Sequence, residues 1–388
     1  MSSSRSSIRD GSGIRPCAGI SRRESLVLIG TAAASLYPWK EFADAFPERR
    51  LSPSHRIGVS LAGAEFGAAQ TDFSNTRPGR LGVDYRYPSQ ATIEYFTANG
   101  LGLFRIPFRW ERLQPRLGQA LDPDELGRLK LSVEQIGRAG GRAILDLHNY
   151  GRYSLDVDGK PRIVIVGEPI DGGVPVSEEH LGDFWRRLAK AFARNSIVVG
   201  YGLMNEPHDM APSDWKKLSQ KTVDAVRQVD RETHLIVAGD GWSNAHRWED
   251  LHSARAWIRD PAGRFAYEAH CYFDADASGK YQLSFAEELA RDGDLLDRGA
   301  KRVSHFLEWC RQNRVAGFLG EFGVPRTDPR WLEVMERFLA AVAKMNFSAC
   351  YWAAGEWWGD YPLSIQPGDD YQNHAPQLKL LQQHRNRI

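Results

Sequence analysis

The chain has 388 residues, 42% of them hydrophobic, which is enough to form one large core. Its 50 basic and 49 acidic residues give a formal net charge of +1. Such a balance provides no general field for nucleic acid or an anionic membrane surface, so we expect an uncharged partner. Cys17, Cys271, Cys310 and Cys350 are widely spaced. This spacing argues against a disulfide framework and against a cysteine-ligated metal site.

The first 45 residues have the layout of an export signal. Arg22 and Arg23 precede the apolar run LVLIGTAAASLY, and ADA follows at 43–45. The run is too short to cross a hydrocarbon layer of about 30 Å. The pattern predicts a twin-arginine-type signal peptide over 1–45, cleaved after Ala45, although a retained anchor or a disordered arm would be the alternative. The remaining domain, 46–388, would then be a bacterial periplasmic or extracellular protein with no membrane attachment.

From residue 55 onward, short apolar runs alternate with longer amphipathic segments. Strands are predicted at 56–63, 102–108, 142–148, 198–205, 234–240, 264–270, 315–321 and 347–354. Eight strand and helix units in a single α/β domain predict a (β/α)8 barrel, the TIM-barrel fold. A doubly wound open sheet would need a phosphate-binding G-x-G-x-x-G after the first strand, and the sequence there is LAGAEFGAA.

Polar residues occur where the predicted strands end. They are Arg105 on the second strand, His148 and Asn149 after the third, Asn205 and Glu206 after the fourth, His270 and Tyr272 after the sixth, Glu321 after the seventh and Trp352 on the eighth. Taken singly, each has an ordinary explanation as a solvated or packing residue. A barrel, however, brings the carboxyl ends of all its strands to one mouth, so together they predict an active site there.

Glu206 and Glu321 are the candidate catalytic pair. Glycoside hydrolysis uses one carboxyl group as acid and base and a second as nucleophile. Glu206, partly buried beside another carboxylate, is expected to remain protonated and act as the acid. Glu321 is expected to be held ionised by Arg105 and oriented by the Tyr272 hydroxyl. Asn205 would hydrogen-bond the 2-hydroxyl of the attacked sugar.

The order of these motifs resembles glycoside hydrolase family 5, whose members include retaining endoglucanases and mannanases. The motifs are RIPFRWERLQP, HNYGRY, N-E-P, H-x-Y, G-E-F and YWAAGEWWGDY, and the resemblance extends over nearly the whole domain. It implies that His148 and Asn205 bind the sugar just before the cut and that His270 and Tyr272 flank the glutamates. Trp352 would be the platform beneath that sugar, and Asn149 would lie around the cleft as a further substrate-binding residue. Glu356 departs from the pattern, which more usually has proline there.

The implied function is a secreted endo-β-1,4-glucanase, or cellulase, that acts on a β-glucan chain by double displacement. No metal or other cofactor is expected, and the enzyme is expected to be a monomer. The same chemistry on mannan, xyloglucan or mixed-linkage glucan, and a non-catalytic carbohydrate-binding barrel, are the alternatives. The sequence does not distinguish degradation of foreign glycan from trimming of the cell's own cellulose, or random from processive cutting.

Overall fold

The structure, a computed structural model, describes residues 56–170 and 173–385, so the predicted signal peptide lies outside the described residues. The barrel strands are β1 (Ile57–Leu61), β2 (Leu103–Phe108), β3 (Arg142–Leu147), β6 (Val198–Gly202), β7 (His234–Ala238), β8 (Phe265–His270), β9 (Ala316–Glu321) and β10 (Ser348–Ala354). They form a closed barrel in the order β1-β10-β9-β8-β7-β6-β3-β2. All the pairings between them are parallel. The predicted (β/α)8 barrel is therefore confirmed.

Helices follow the strands and cover the outside of the barrel. They are α1 (Gln90–Ala98), α2 (Trp110–Leu113), α3 (Pro123–Arg138), α4 (Glu178–Phe192), α5 (Trp215–Arg227), α6 (Trp248–Leu251), α7 (Phe285–Arg291), α8 (Leu295–Asn313), α9 (Trp331–Ala343) and α10 (Pro376–His384). In α4, Leu181, Trp185 and Leu188 recur at helical spacing and are buried. Ser177 caps its first turn by accepting a hydrogen bond from the His180 N–H.

A two-stranded hairpin, β4 (Arg152–Val157) and β5 (Lys160–Ile165), follows β3 and was not predicted. Its turn is the dipeptide Asp158-Gly159, both residues with positive φ, as a tight hairpin turn requires. The hairpin starts two residues after Tyr150, so it rises from the carboxyl end of the barrel, beside the predicted site.

The alternation of side chains along β2 explains why the site lies above an apolar floor. Successive side chains of a strand point to opposite faces, so Leu103 and Arg105 share the inner face while Phe104 points outward. Leu103 packs inside the barrel with residues of four other strands, Ile144, Ile236, Phe318 and Cys350. Phe104 belongs instead to the large core between the barrel and its helices. Within two residues of β2, the inner face therefore changes from an apolar packing residue, Leu103, to a charged residue of the site, Arg105.

The cysteines behave as small apolar residues. Cys271, Cys310 and Cys350 are buried free thiols, and Cys17 lies outside the described residues. Among the described helices, none has the length and apolar character needed to cross a bilayer.

Candidate active site

Arg105 lies at the centre of the barrel mouth and is 1% exposed. Its guanidinium donates to Oε1 of Glu321 at 3.0 Å and to Oδ1 of Asn205 at 2.5 Å. The same group is 3.2 Å from Asp146 and 3.3 Å from Glu268. A buried arginine with a rigid fork of donors thus holds the ends of four strands or strand-end loops in one arrangement.

Glu321 ends β9 and is buried between cations and a hydroxyl group. The Tyr272 hydroxyl donates to its Oε2 at 2.8 Å, while Arg105 donates to its Oε1. Burial raises the pKa of Glu321, and the nearby Glu206 raises it further, whereas His270 and Arg105 lower it. The sequence predicted the stabilising role of Arg105 but not the dominant effect of burial. The Glu321 charge therefore depends on these fixed partners, because bulk water is largely excluded.

Glu206 follows β6 in a loop and is less buried than Glu321, with 15% of its side chain exposed. Its φ of 45° is unusual for a residue with a side chain, and such backbone strain is common where a catalytic group must be aimed. Oxygen atoms of Glu206 and Glu321 and a ring nitrogen of His270 all lie within 4.8 Å of one another. The carboxyl groups of the two glutamates that the sequence selected therefore lie close together at the barrel mouth.

His148 and Trp352 form the second part of the mouth. Their rings are stacked at 5.3 Å and 9°. Burial lowers the pKa of His148 well below its ordinary value, so the ring is neutral at physiological pH. Asp146 lies 2.8 Å from Nδ1, which places the ring proton there and leaves Nε2 to accept. The Tyr150 hydroxyl and the Asn205 amide lie 3.0 Å and 3.3 Å from Nε2.

Asn149 lies in the same loop, but its amide is engaged with protein groups. It donates to both carboxylate oxygens of Glu111, at 3.1 and 2.9 Å, and accepts from the Trp110 N–H at 2.9 Å. It also donates to the Arg152 carbonyl at 3.0 Å. These contacts hold the loop that carries His148, and substrate binding by Asn149 stays a prediction.

Two buried carboxylates were missed by the sequence analysis. Asp146 and Glu268 lie two residues before His148 and His270, on β3 and β8. Residues i and i+2 of a strand share a face. The motifs D-x-H and E-x-H at the ends of these strands could therefore have predicted that each carboxylate lies beside its histidine. Each carboxylate lies against the histidine that follows it, at 2.8 Å for Asp146 and 3.2 Å for Glu268.

Residues 59–357 match the family model described as Cellulase (glycosyl hydrolase family 5). The chain belongs to glycosyl hydrolase family 5. This confirms the resemblance seen in the sequence, and all the predicted site residues fall within the matched range.

Curated relatives of this family 5 chain cover nearly its whole length. Endo-beta-1,4-glucanase A of Emericella nidulans is 31% identical, over 92% of this chain and 97% of the relative. Among solved structures, the Pseudomonas stutzeri endoglucanase Cel5A in complex with cellobiose is 35% identical with a TM-score of 0.73, over 85% of this chain and 92% of that one. Xac0029, an endo-beta-1,4-glucanase of Xanthomonas axonopodis pv. citri, is 33% identical with a TM-score of 0.73 and covers 86% and 99% of the two chains.

Glu356, which departs from the expected family 5 pattern, has a structural role. Its Oε1 accepts from the Ser89 N–H at 2.9 Å and from the Thr92 hydroxyl at 2.8 Å, at the start of α1. Arg86 lies 3.6 Å from its other oxygen. Glu356 therefore connects the loop after β10 to the first helix, at the point where the barrel closes.

Proposed function

We propose that this family 5 enzyme is a retaining endo-β-1,4-glucanase with Glu206 as acid and base and Glu321 as nucleophile. The observation that carries the proposal is the separation of less than 4.8 Å between carboxyl oxygens of the two residues. Retaining glycosidases hold their carboxyl groups about 5 to 5.5 Å apart, whereas inverting enzymes need about 6.5 to 9.5 Å to admit a water molecule between carboxylate and sugar.

In the first step, Glu321 attacks the anomeric carbon while Glu206 protonates the departing glycosidic oxygen. The Tyr272 hydroxyl and the Arg105 guanidinium hold the Glu321 carboxylate in one orientation. In the second step, Glu206 takes a proton from water, whose oxygen displaces Glu321 from the anomeric carbon. Two inversions at that carbon retain its configuration.

The sugar before the cut would lie against Trp352 and His148, whose rings are stacked. The indole offers an apolar surface, and the imidazole offers a polar group beside it. Pyranose rings have apolar faces that pack on indole rings, and Asn205 supplies a hydrogen-bonding group beside them. Relatives of known structure have been solved with cellobiose and with cellopentaose. Their ligands support a β-1,4-glucan as the substrate of this enzyme.

The Tyr150 ring contacts both His148 and Trp242, and Trp242 is a candidate platform for the leaving portion of the glucan. It is 48% exposed, although a large indole normally prefers burial. His208 stacks on it at 3.4 Å and 10°, and the Tyr150 ring lies at 6.1 Å. One indole face is thus supported by protein. Its φ of 66° is a further sign that the backbone is held in an unfavourable conformation to present the ring.

We also propose that the enzyme is a monomer exported from a bacterial cell. The proposal relies on the Arg22-Arg23 pair and the short apolar run of the leader. The family match begins at residue 59, after the expected cleavage point, which is consistent with a leader that is separate from the catalytic domain.

The test of the proposed reaction is hydrolysis of carboxymethylcellulose, mixed-linkage glucan and mannan by the parent, Glu206→Gln and Glu321→Gln proteins. We expect reducing-sugar release from the glucans, with a loss of 10³-fold or more in each variant, roughly the cost of removing one member of a catalytic unit. Proton NMR of fresh products should show the β-anomer first. Initial α-product would exclude retention, and activity on mannan alone would change the substrate.

A further inference from the structure

Glu268 is a buried carboxylate with no role in the mechanism described above. It is 1% exposed and points from β8 into the barrel, beneath the catalytic residues. Its Oε1 lies 3.2 Å from Nε2 of His270 and 3.3 Å from Arg105. Its Oε2 accepts no hydrogen bond from the residues that the structure describes. A buried carboxylate with one oxygen unpaired is costly, so stability alone does not account for this residue.

The neighbouring strand is shaped to admit the Glu268 side chain. A Cβ at Gly320 of β9 would lie 1.7 Å from Oε1 of Glu268, far inside van der Waals contact. The residue directly before the nucleophile Glu321 is therefore a glycine because a carboxylate occupies the space of its side chain. The position of the Glu268 carboxylate thus depends on residues of both β8 and β9. This shared arrangement argues that the carboxylate has a specific function.

Glu268 sets the proton arrangement on His270. The His270 ring lies between two carboxyl groups, with Nδ1 at 2.6 Å from Oε1 of Glu206 and Nε2 at 3.2 Å from Glu268. A carboxylate at Nε2 holds a proton on that nitrogen, as in other carboxylate–histidine pairs. Nδ1 is then left to share a proton with the Glu206 carboxyl group, which is the group that must donate one.

The charges around His270 favour retention of this proton. The His270 ring lies within 3.7 Å of three carboxyl groups, those of Glu206 after β6, Glu268 on β8 and Glu321 on β9. Asp146 and His148 at the end of β3 interact with it electrostatically. The remaining charged or titratable groups of this cluster lie against those carboxyl groups, and they are Arg105 on β2, Tyr272 after β8 and Cys350 on β10. Burial disfavours the charged ring, but Glu321, Glu206 and Glu268 together raise the pKa of His270 to about 10.

We propose that Glu268 is a positioning residue for the proton transfer: by fixing the proton on Nε2 of His270, it keeps a second proton on the hydrogen bond between Nδ1 and Glu206. The inference rests on the acid and base role proposed for Glu206. That proton passes to the glycosidic oxygen as the first bond breaks. Water returns a proton to Glu206 in the second step, so the pair begins and ends each cycle with the same proton count.

The test is Glu268→Gln, which keeps the size of the side chain and removes its charge. Loss of a negative charge lowers the proton affinity of the His270–Glu206 pair. The alkaline limb of the kcat/KM profile on cellopentaose should therefore move to lower pH by about one unit or more, as for other close charges. On 2,4-dinitrophenyl β-cellobioside, whose leaving group needs no proton, Glu268→Gln should move the alkaline limb less and lower kcat/KM by a smaller factor than on cellopentaose.

Asp146→Asn is the matched comparison, because it neutralises an equally buried carboxylate behind the other histidine. His148 contacts Asn205 and not Glu206, so the alkaline limb should move less than in Glu268→Gln. An unchanged limb in Glu268→Gln, or the same displacement in both variants, would overturn the role of Glu268. These results would leave the proposed function intact.

Two further measurements separate the possible failures. If Glu206→Gln hydrolyses cellopentaose as well as the parent does, the proposed acid is wrong, whatever Glu268 does. Nitrogen-15 NMR of histidine in the unsubstituted protein does not depend on whether a variant folds. We expect Nε2 of His270 to stay protonated across the active pH range, and Nδ1 to lose its proton only along the alkaline limb of the activity profile. A His270 ring with an unprotonated Nε2 in that range would contradict the proposal.

Discussion

At the scale of single residues, the site depends on one buried cation and its ring of acceptors. The single guanidinium of Arg105 contacts four groups, those of Glu321, Asn205, Asp146 and Glu268. Burial of so many ionisable groups is expensive unless each charge is paired, and removing one partner leaves the others uncompensated. Substitutions here will therefore affect several groups at once, and conservative changes give the clearest results.

Tyr272→Phe is such a change beside Glu321, the proposed nucleophile. It removes the hydroxyl that donates to Oε2 of Glu321 at 2.8 Å and leaves the ring. A hydrogen bond to a charged group is worth about 1.5 to 3 kcal/mol, so kcat/KM on cellopentaose should fall roughly ten- to a hundredfold. The measurement is steady-state kinetics at the pH optimum, with circular dichroism as the control for folding. Parental kcat/KM in the variant would show that the hydroxyl does not assist Glu321.

Trp242→Ala tests the proposed platform for the leaving portion of the glucan. Because the indole is half-exposed and not part of the core, its loss should leave thermal stability nearly unchanged while it weakens binding of long substrates. We expect a higher KM for cellopentaose and little change for a short aryl cellobioside. An equal effect on both substrates would argue against a separate binding position at Trp242.

At the scale of elements, Glu356 joins the last barrel loop to the first turn of α1. A carboxylate at a helix N-terminus interacts favourably with the free N–H groups there, by about 1 kcal/mol. Burial opposes its ionisation, but hydrogen bonds from Ser89 and Thr92 hold the pKa of Glu356 below its ordinary value. A depressed folded-state pKa stabilises the protein above the unfolded-state value, and this contribution is lost as pH falls below it.

Glu356→Gln should therefore lower the Tm at neutral pH, and the difference from the parent should shrink as pH falls below about 4.3, the ordinary glutamate pKa. Calorimetry of both proteins between pH 3 and 7 measures this. Glu94→Gln, on the exposed face of the same helix, is the control and should show a smaller change. A Tm difference that stays constant with pH would mean that the charge of Glu356 contributes nothing.

At the scale of the whole molecule, all three described thiols are buried in the core of the domain. Burial raises the pKa of Cys271 to about 12 and raises that of Cys310 and Cys350 as well. Since the thiolate is the reactive form, these side chains should resist iodoacetamide in the native protein. Peptide mass spectrometry should find them labelled only after unfolding in guanidinium. Rapid native labelling of any one would reveal local opening of the core.

Much of the fold was predictable because a parallel barrel has a strong sequence pattern. Each predicted strand contains the observed one, since the inner and outer faces of a barrel strand are both buried and leave a continuous apolar run. The β4–β5 hairpin was missed because RYSLDVDGKPRIVI is only half-buried and interrupted by polar residues. The dipeptide Asp158-Gly159 is nevertheless typical of a two-residue hairpin turn and could have predicted the hairpin.

The barrel and the family were predictable from the sequence alone. The same pattern selected Glu206 and Glu321 as candidates, because a polar residue is easily recognised at the end of an apolar run. Which side chains contact one another is seen only in the folded barrel. Asn149 turned out to bind Glu111, Glu356 to cap α1 and Glu268 to occupy the space above Gly320. These contacts join residues that are 38 to 267 positions apart or lie on different strands. The local hydrophobic pattern predicts which face of a strand a residue occupies. The side chain that it meets across the barrel depends on the strand register and on how the barrel closes.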